Sequence, residues 1–221
     1  MARAYFDSVY SPLYDSTTAR LARYAEAHVR LARYLRLAPG QRILCAGLGT
    51  GNELLSLRAQ EARLGLVGID VSLTALRRAR RKAGSHPAGA ALARMDGELL
   101  GFRDEAFDRV LCYHVLDFVA APERMAGELL RVLKPGGRFV ISLPAGGEGA
   151  GLGAGLMRHN LARGVMAGLV YLPLMLRRKP VVFSQQDATA LLGSLGAVDL
   201  TIESDPVYRD HLACGAKKKG G

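Results

Sequence analysis

The sequence predicts a doubly wound α/β fold, a mostly parallel sheet with helices on both faces, and two observations carry that prediction. Five short apolar runs between residues 42 and 143 are separated by helical patterns. Parallel neighbours need crossovers, and crossovers are usually helices. The first run leads into a glycine-rich turn, Ala46-Gly47-Leu48-Gly49-Thr50-Gly51, which opens a helix.

In chain order, Thr17 to Leu37 places Leu21, Tyr24, Ala25, Leu31 and Leu35 at helical spacing, with Ser16 or Thr17 as cap and Pro39-Gly40 as stop. Arg42 to Ala46 reads as a strand, Asn52 to Ala62 as a helix and Leu64 to Ile69 as a strand. Ser72 caps a helix reaching Ala83. Ala90 to Met95 and Phe107 to Tyr113 are the next strands, followed by a helix from Pro122 to Leu133. Pro135-Gly136-Gly137 then turns the chain into a strand from Arg138 to Leu143. A helix from Gln185 to Leu195 and strands at Ala197 to Glu203 and Val207 to Ala213 complete seven strands. The expected organisation is an N-terminal helical cap over 1–40, one domain over 41–216 with a lid insertion near 145–183, and a disordered tail over 217–221. The Gly-rich stretch Ala145 to Gly155 is long enough for an active-site cover.

Composition narrows the classes. A chain of 221 residues, 49% of them hydrophobic, can bury the core of one ordinary domain. Its opening residues lack the apolar core of a secretory signal, so a cytoplasmic location is expected. Cys45, Cys112 and Cys214 lie far apart in apolar runs, which fits reduced core residues better than a metal site. The net charge of +10 suits nucleic acid, an anionic membrane surface or an acidic substrate. Its densest cluster, Arg77 to Lys82, equally fits a solvated helix face. The uncharged stretch Gly164 to Leu176 is too short to span a bilayer and contains Pro173.

The glycine turn is the chemical clue. Glycines allow positive φ and close approach of a ligand, and the following helix offers free N–H groups. Asp70 ends the second strand 19 positions after Gly51, near the spacing at which an acidic side chain takes ribose hydroxyls. The ligand indicated is a nucleoside. The glycines fall at alternate positions, whereas the dinucleotide fingerprint spaces its last pair by three, and no phosphate-loop lysine follows. Taken alone, such glycines merely make turns; the preceding strand, following helix and Asp70 weigh against that.

These residues resemble the class I S-adenosylmethionine-dependent methyltransferases, whose first motif sets glycines at alternate positions after an acidic residue. The resemblance continues through Val67-Gly68-Ile69-Asp70-Val71-Ser72, Arg94-Met95-Asp96-Gly97, Phe107-Asp108-Arg109-Val110, Leu116-Asp117-Phe118-Val119 and Arg131 to Arg138, covering roughly residues 40 to 143. It implies a Rossmann-like seven-stranded sheet and S-adenosyl-L-methionine as cofactor. Gly47, Leu48, Gly49, Thr50 and Gly51 would lie against its methionine end, Asp70 and Val71 on the ribose, and Asp96 and Gly97 on the adenine. Phe6-Asp7-Ser8-Val9 and Tyr14-Asp15 are similar to the opening of the ubiquinone and menaquinone C-methyltransferases, where these segments lie over the cofactor. One departure stands out: Cys45 occupies the position of the motif's carboxylate.

Methyl transfer from a sulfonium is a direct displacement, so alignment matters more than a nucleophilic residue. Tyr14 and Tyr113 are placed to offer ring faces to the cation, or are ordinary core aromatics. His114, after the fourth strand, is the candidate catalytic base, with His159 and His211 behind it. The acceptor expected is a small lipophilic or aromatic molecule, quinone-like, lipid or secondary metabolite. It would lie under the apolar stretch Gly155 to Lys179, whose Arg158, Arg163, Arg177, Arg178 and Lys179 suit either a lid or peripheral contact with an anionic membrane. A nucleic-acid methyltransferase is the alternative enzyme, but neither an Asn/Asp-Pro-Pro-aromatic motif nor a Pro-Cys nucleophile is present. A noncatalytic cofactor-binding protein rests on Cys45 alone. The oligomeric state and the attacking atom are left open.

Overall fold

The computed structural model of the chain describes residues 7, 22–84, 89–145, 181–205 and 210–220. In order, the described elements are α1 (Ala22–Leu35), β1 (Arg42–Ala46), α2 (Asn52–Gln60), β2 (Gly65–Asp70), α3 (Leu73–Ala83), β3 (Ala91–Arg94) and β4 (Phe107–Cys112). A 3-10 turn (Leu116–Phe118) follows, then α4 (Pro122–Val132), β5 (Leu133–Pro144), α5 (Gln185–Ser194), β6 (Ala197–Asp205) and β7 (Asp210–Lys217). The strands form a seven-stranded sheet in the order β3-β2-β1-β4-β5-β7-β6. All pairings from β3 to β5 are parallel, and β7 runs antiparallel to both β5 and β6.

The near-continuous apolar character of β1 follows from burial on both faces. Leu44 and Ala46 pack with Val110, Ile141, Met125 and Leu129 on one side of the sheet. Ile43 and Cys45 pack with Leu31, Leu35, Leu57 and Leu76 on the other. Two helix starts are fixed by side chains. Ser72 accepts a hydrogen bond from Ala75 N at 3.1 Å, and Ser184 forms a capping box with Asp187.

Two sequence expectations are corrected in detail. Pro135-Gly136-Gly137 does not precede the fifth strand but lies within it. β5 starts at Leu133, paired with Phe107, and the ladder resumes at Arg138 opposite Arg109 across an irregularity. Gly136 at φ +73° and Gly137 absorb this bulge, since a Cβ on Gly137 would come within 2.8 Å of Lys134 O. The last strand is described from Asp210, with Val207 itself outside the described residues, and runs through Lys217, the first residue assigned to a disordered tail. The Lys217 ammonium donates to Leu133 O at 2.9 Å, which ties that end to the sheet.

The topology places the site. All parallel strands end at one edge of the sheet, and because β7 is antiparallel to β5, its first residue lies at that same edge: Asp210 pairs with Pro144. In open α/β sheets this carboxyl edge, outside the strand ends, is where ligands bind.

Candidate functional site

At the ends of β1 and β2 the glycine turn is held from several sides. Leu48 N donates to Ile69 O at 2.9 Å, and Gly49 N donates to Asp70 Oδ2 at 2.8 Å. Thr50, 2% exposed, receives the Lys82 ammonium at 3.1 Å, and the same ammonium reaches Asn52 Oδ1 at 2.6 Å. Gly51, at φ +83°, is the N-cap of α2, and a Cβ there would meet Ala79 Cβ at 2.9 Å. At Gly47, φ +66°, a Cβ would strike Val115 Cγ2 at 2.2 Å. The segment after β4 therefore lies directly on the turn.

Asp70 is half-buried, and desolvation raises its carboxyl above the ordinary range against the pull of two backbone N–H donors, Ser72 and Gly49. Its second oxygen accepts from Ser72 N at 2.8 Å. A carboxylate offers about four acceptor positions, so capacity is left for hydroxyls of a ribose. A Cβ on neighbouring Gly49 would meet nothing within 4 Å, which leaves open space beside that carboxylate. Turn and carboxylate together fit a nucleoside cofactor. Val71 O holds the Arg94 guanidinium at 3.0 Å. Met95 N donates to Asp70 O at 3.1 Å, bringing Asp96 and the buried Gly97 alongside. Asp96 Oδ1 accepts from Glu98 N at 3.1 Å. Asp7 reaches the same corner from the N-terminal segment, accepting from Ser72 Oγ at 2.6 Å and Thr74 N at 3.0 Å. Tyr14 and His159 fall outside the described residues, as does the stretch from 155 to 179.

Cys45 is 2% exposed, set between Gly68 and Leu111 on the neighbouring strands. Burial first, and then the charge of Glu53, push its thiol well above the usual range. It is a neutral, packed group. Glu53, in the first turn of α2, is 9% exposed, and its charge also acts on Asp70 and Cys112. A buried carboxylate at the start of the helix thus lies near the end of β1.

The second half of the site lies at the ends of β4, β5 and β7. His114 has φ +55°, a left-handed conformation costing a non-glycine residue on the order of 1 kcal/mol, and its N–H donates to Ser142 Oγ at 2.6 Å. Its Nδ1 lies 2.5 Å from Asp210 Oδ2, and its ring centroid lies 3.8 Å from that of Tyr113. Asp117, in the 3-10 turn, is half-buried. Desolvation, then the charge of Asp210, push its carboxyl up to about 7, with His114 acting against them. His114, Asp117 and Asp210 each bring one ligand-type atom within 4.8 Å of the others. His211 is different. Its ring nitrogens contact Ser204 Oγ and Phe183 O, both at 3.0 Å, so it is a satisfied core histidine.

Asp210 was not visible as a site residue because it is 96 positions from His114. Its one signal was polarity at the head of an apolar strand, meaningful only once that strand is known to run antiparallel. Asp117 lay inside a recognised stretch but carried no role, and Glu53 carried none either.

A family pattern described as a methyltransferase domain matches residues 44–141. The chain is 37% identical over 141 residues to a phosphatidylethanolamine N-methyltransferase of Cereibacter sphaeroides, covering 62% of this chain and 62% of that protein. It is 34% identical over 173 residues to the ubiquinone/menaquinone biosynthesis C-methyltransferase UbiE of Syntrophotalea carbinolica, covering 76% of this chain and 72% of that one. Haemonchus contortus phosphoethanolamine N-methyltransferase 2, solved with S-adenosyl-L-methionine, shares the fold at a TM-score of 0.73 and 14% identity over 99% of this chain and 60% of that one. Among the described residues no helix is long and apolar enough to cross a membrane.

Proposed function

Because the chain belongs to the class I S-adenosylmethionine-dependent methyltransferases, we propose that it methylates a small lipophilic acceptor at the carboxyl edge of its sheet, with His114 receiving the acceptor's proton. The observation that carries this reading is the continuity of the two halves of the site. Val115, next to His114, lies against Gly47 of the cofactor turn. Support for a lipophilic acceptor comes from the two relatives, named for a phospholipid and for quinones.

When bound, S-adenosyl-L-methionine supplies a methyl group activated on a sulfonium. The Gly47–Gly51 turn would hold its methionine end, Asp70 its ribose hydroxyls and Asp96 its adenine. Glu53 offers negative charge on the cleft side of α2, where a cationic cofactor is stabilised. Tyr113 closes the floor beside His114. Asp210, 2.5 Å from Nδ1, fixes the tilt of the imidazole and stabilises the imidazolium that forms when Nε2 takes a proton, the base-and-orienter arrangement of general base catalysis. Ser142 pins the backbone of His114 from β5.

Peripheral contact with anionic lipid belongs to the same reading. It rests on the arginines flanking the apolar stretch 155–179, and such attraction is screened over about 10 Å at 0.1 M salt. Methyl-labelled S-adenosylmethionine, the full chain and a cell extract test the proposal. Label should partition with the organic phase, and label confined to nucleic acid or protein would overturn it.

A further inference from the structure

The sheet edge carries carboxylates that differ sharply in how they are satisfied. Asp70, half-buried, accepts backbone N–H groups on both oxygens. Asp117, likewise half-buried, accepts no hydrogen bond among the described residues. Asp210, 3% exposed, has an oxygen whose one close polar contact among the described residues is the His114 ring nitrogen at 2.5 Å. Buried carboxylates without donors are costly, and a buried charge is normally paired or coordinated. One carboxylate oxygen each of Asp117 and Asp210 and one ring nitrogen of His114 converge within 4.8 Å of one another. Negative charge and acceptor atoms are in excess here, at the edge where the acceptor must meet the methyl group.

Resting on the methyltransferase reading above, we propose that Asp117 and Asp210 form a subsite for the ammonium of an amine acceptor, which fixes nitrogen as the methylated atom. An ammonium brings three N–H donors and a positive charge, and so supplies both carboxylates with what their surroundings lack. A phenolate or enolate would instead bring a third negative charge into the same buried cluster, a like-charge arrangement that opposes binding. The chemistry balances. The ammonium gives one proton to His114, the freed nitrogen lone pair forms the N–CH3 bond, and the S–CH3 bond breaks with its electron pair left on sulfur.

The test uses the EDTA-treated full chain with methyl-labelled S-adenosylmethionine and four probes: vesicles containing phosphatidylethanolamine, free ethanolamine, vesicles containing reduced demethylmenaquinone, and a matched vesicle without either lipid. Label in an amine product is expected; phosphatidylethanolamine against free ethanolamine tells a lipid headgroup from a soluble amine. Asp117→Asn should raise KM for the amine about 10- to 100-fold, the equivalent of one charged hydrogen bond, while cofactor affinity by calorimetry stays within twofold. Dodecylamine should compete with the amine in the unaltered chain and dodecanol should not, which needs no variant to fold. Label in the quinone alone overturns the amine assignment but leaves methyl transfer standing. Turnover lost to EDTA and restored by manganese overturns it in favour of a metal at the same three side chains. No label in any probe, together with no cofactor binding, brings down the methyltransferase reading itself.

Discussion

The two halves of the site are built on opposite plans. The cofactor half, at the ends of β1 to β3, draws its recognition from one short turn and the next strand: Leu48 N donates to Ile69 O and Gly49 N to Asp70 Oδ2, hydrogen bonds that each span 21 positions. The acceptor half brings His114 and Asp117 together with Asp210 across 96 residues, through a strand that enters the sheet backwards. In the first half the main chain supplies many of the donors, so the sequence must only permit a tight turn. In the second the proposed chemistry falls to side chains, and the sheet topology decides which of them meet. Satisfaction differs too: Asp70 accepts one backbone N–H on each oxygen, whereas Asp117 holds its place without a donor among the described residues.

That contrast can be broken by mutation, beginning with the largest effect. His114→Gln should lower kcat by about 10²- to 10⁴-fold, the usual share of a general base. Single-turnover methyl transfer at saturating cofactor reads this, and an unchanged rate would remove His114 from the chemistry. Asp210→Asn should fall in the same direction but less far, because the imidazole is kept and only its orientation and counter-charge are lost.

Next comes the strand end beneath the cofactor turn. Cys45→Asp would bury a carboxylate between Gly68 and Leu111 and near the charge of Glu53, without a described donor to receive it. A loss of about 2 to 3 kcal/mol follows, or roughly 4 to 12 °C in Tm. Thermal unfolding measures it, and tighter cofactor binding without destabilisation would show that the strand end still takes the acid of the motif.

The smallest effect sharpens the comparison between Asp70 and Asp117. With its carboxyl raised from 3.8 to about 7, native Asp117 keeps a proton that the unfolded chain releases. Stability from this group is therefore present below about pH 4 and lost as pH rises to about 7. Asp117→Asn should melt alongside the parent chain at pH 4 and above it at pH 8. Equal melting temperatures at both pH values would mean that Asp117 is not strained by burial.

How much of this was legible in the sequence follows the same division. The order of strands and helices and the glycine turn could be read because each depends on local pattern: apolar runs, Ser72 as a cap, glycines where φ is positive. Asp70 could be placed by spacing alone. The bulge at Gly136 could not, since proline and glycines write the same letters for a bulge as for a turn, and only pairing with Phe107 and Arg109 tells them apart. His114 could be singled out as a candidate by its place after β4, yet its contact with Asp210 required knowing that β7 is antiparallel. Cys45 looked like a missing carboxylate; the structure shows a packed apolar group, with Glu53 presenting its charge from the next helix.

The division into a cofactor half and a chemical half is tested most directly by calorimetry of S-adenosylmethionine binding to two variants side by side. Asp70→Ala should weaken binding about 10- to 100-fold, the equivalent of roughly 1.5 to 3 kcal/mol for a charged hydrogen bond, while His114→Gln should bind within twofold of the unaltered chain. Unchanged affinity in Asp70→Ala, or equal losses in both variants, would contradict it.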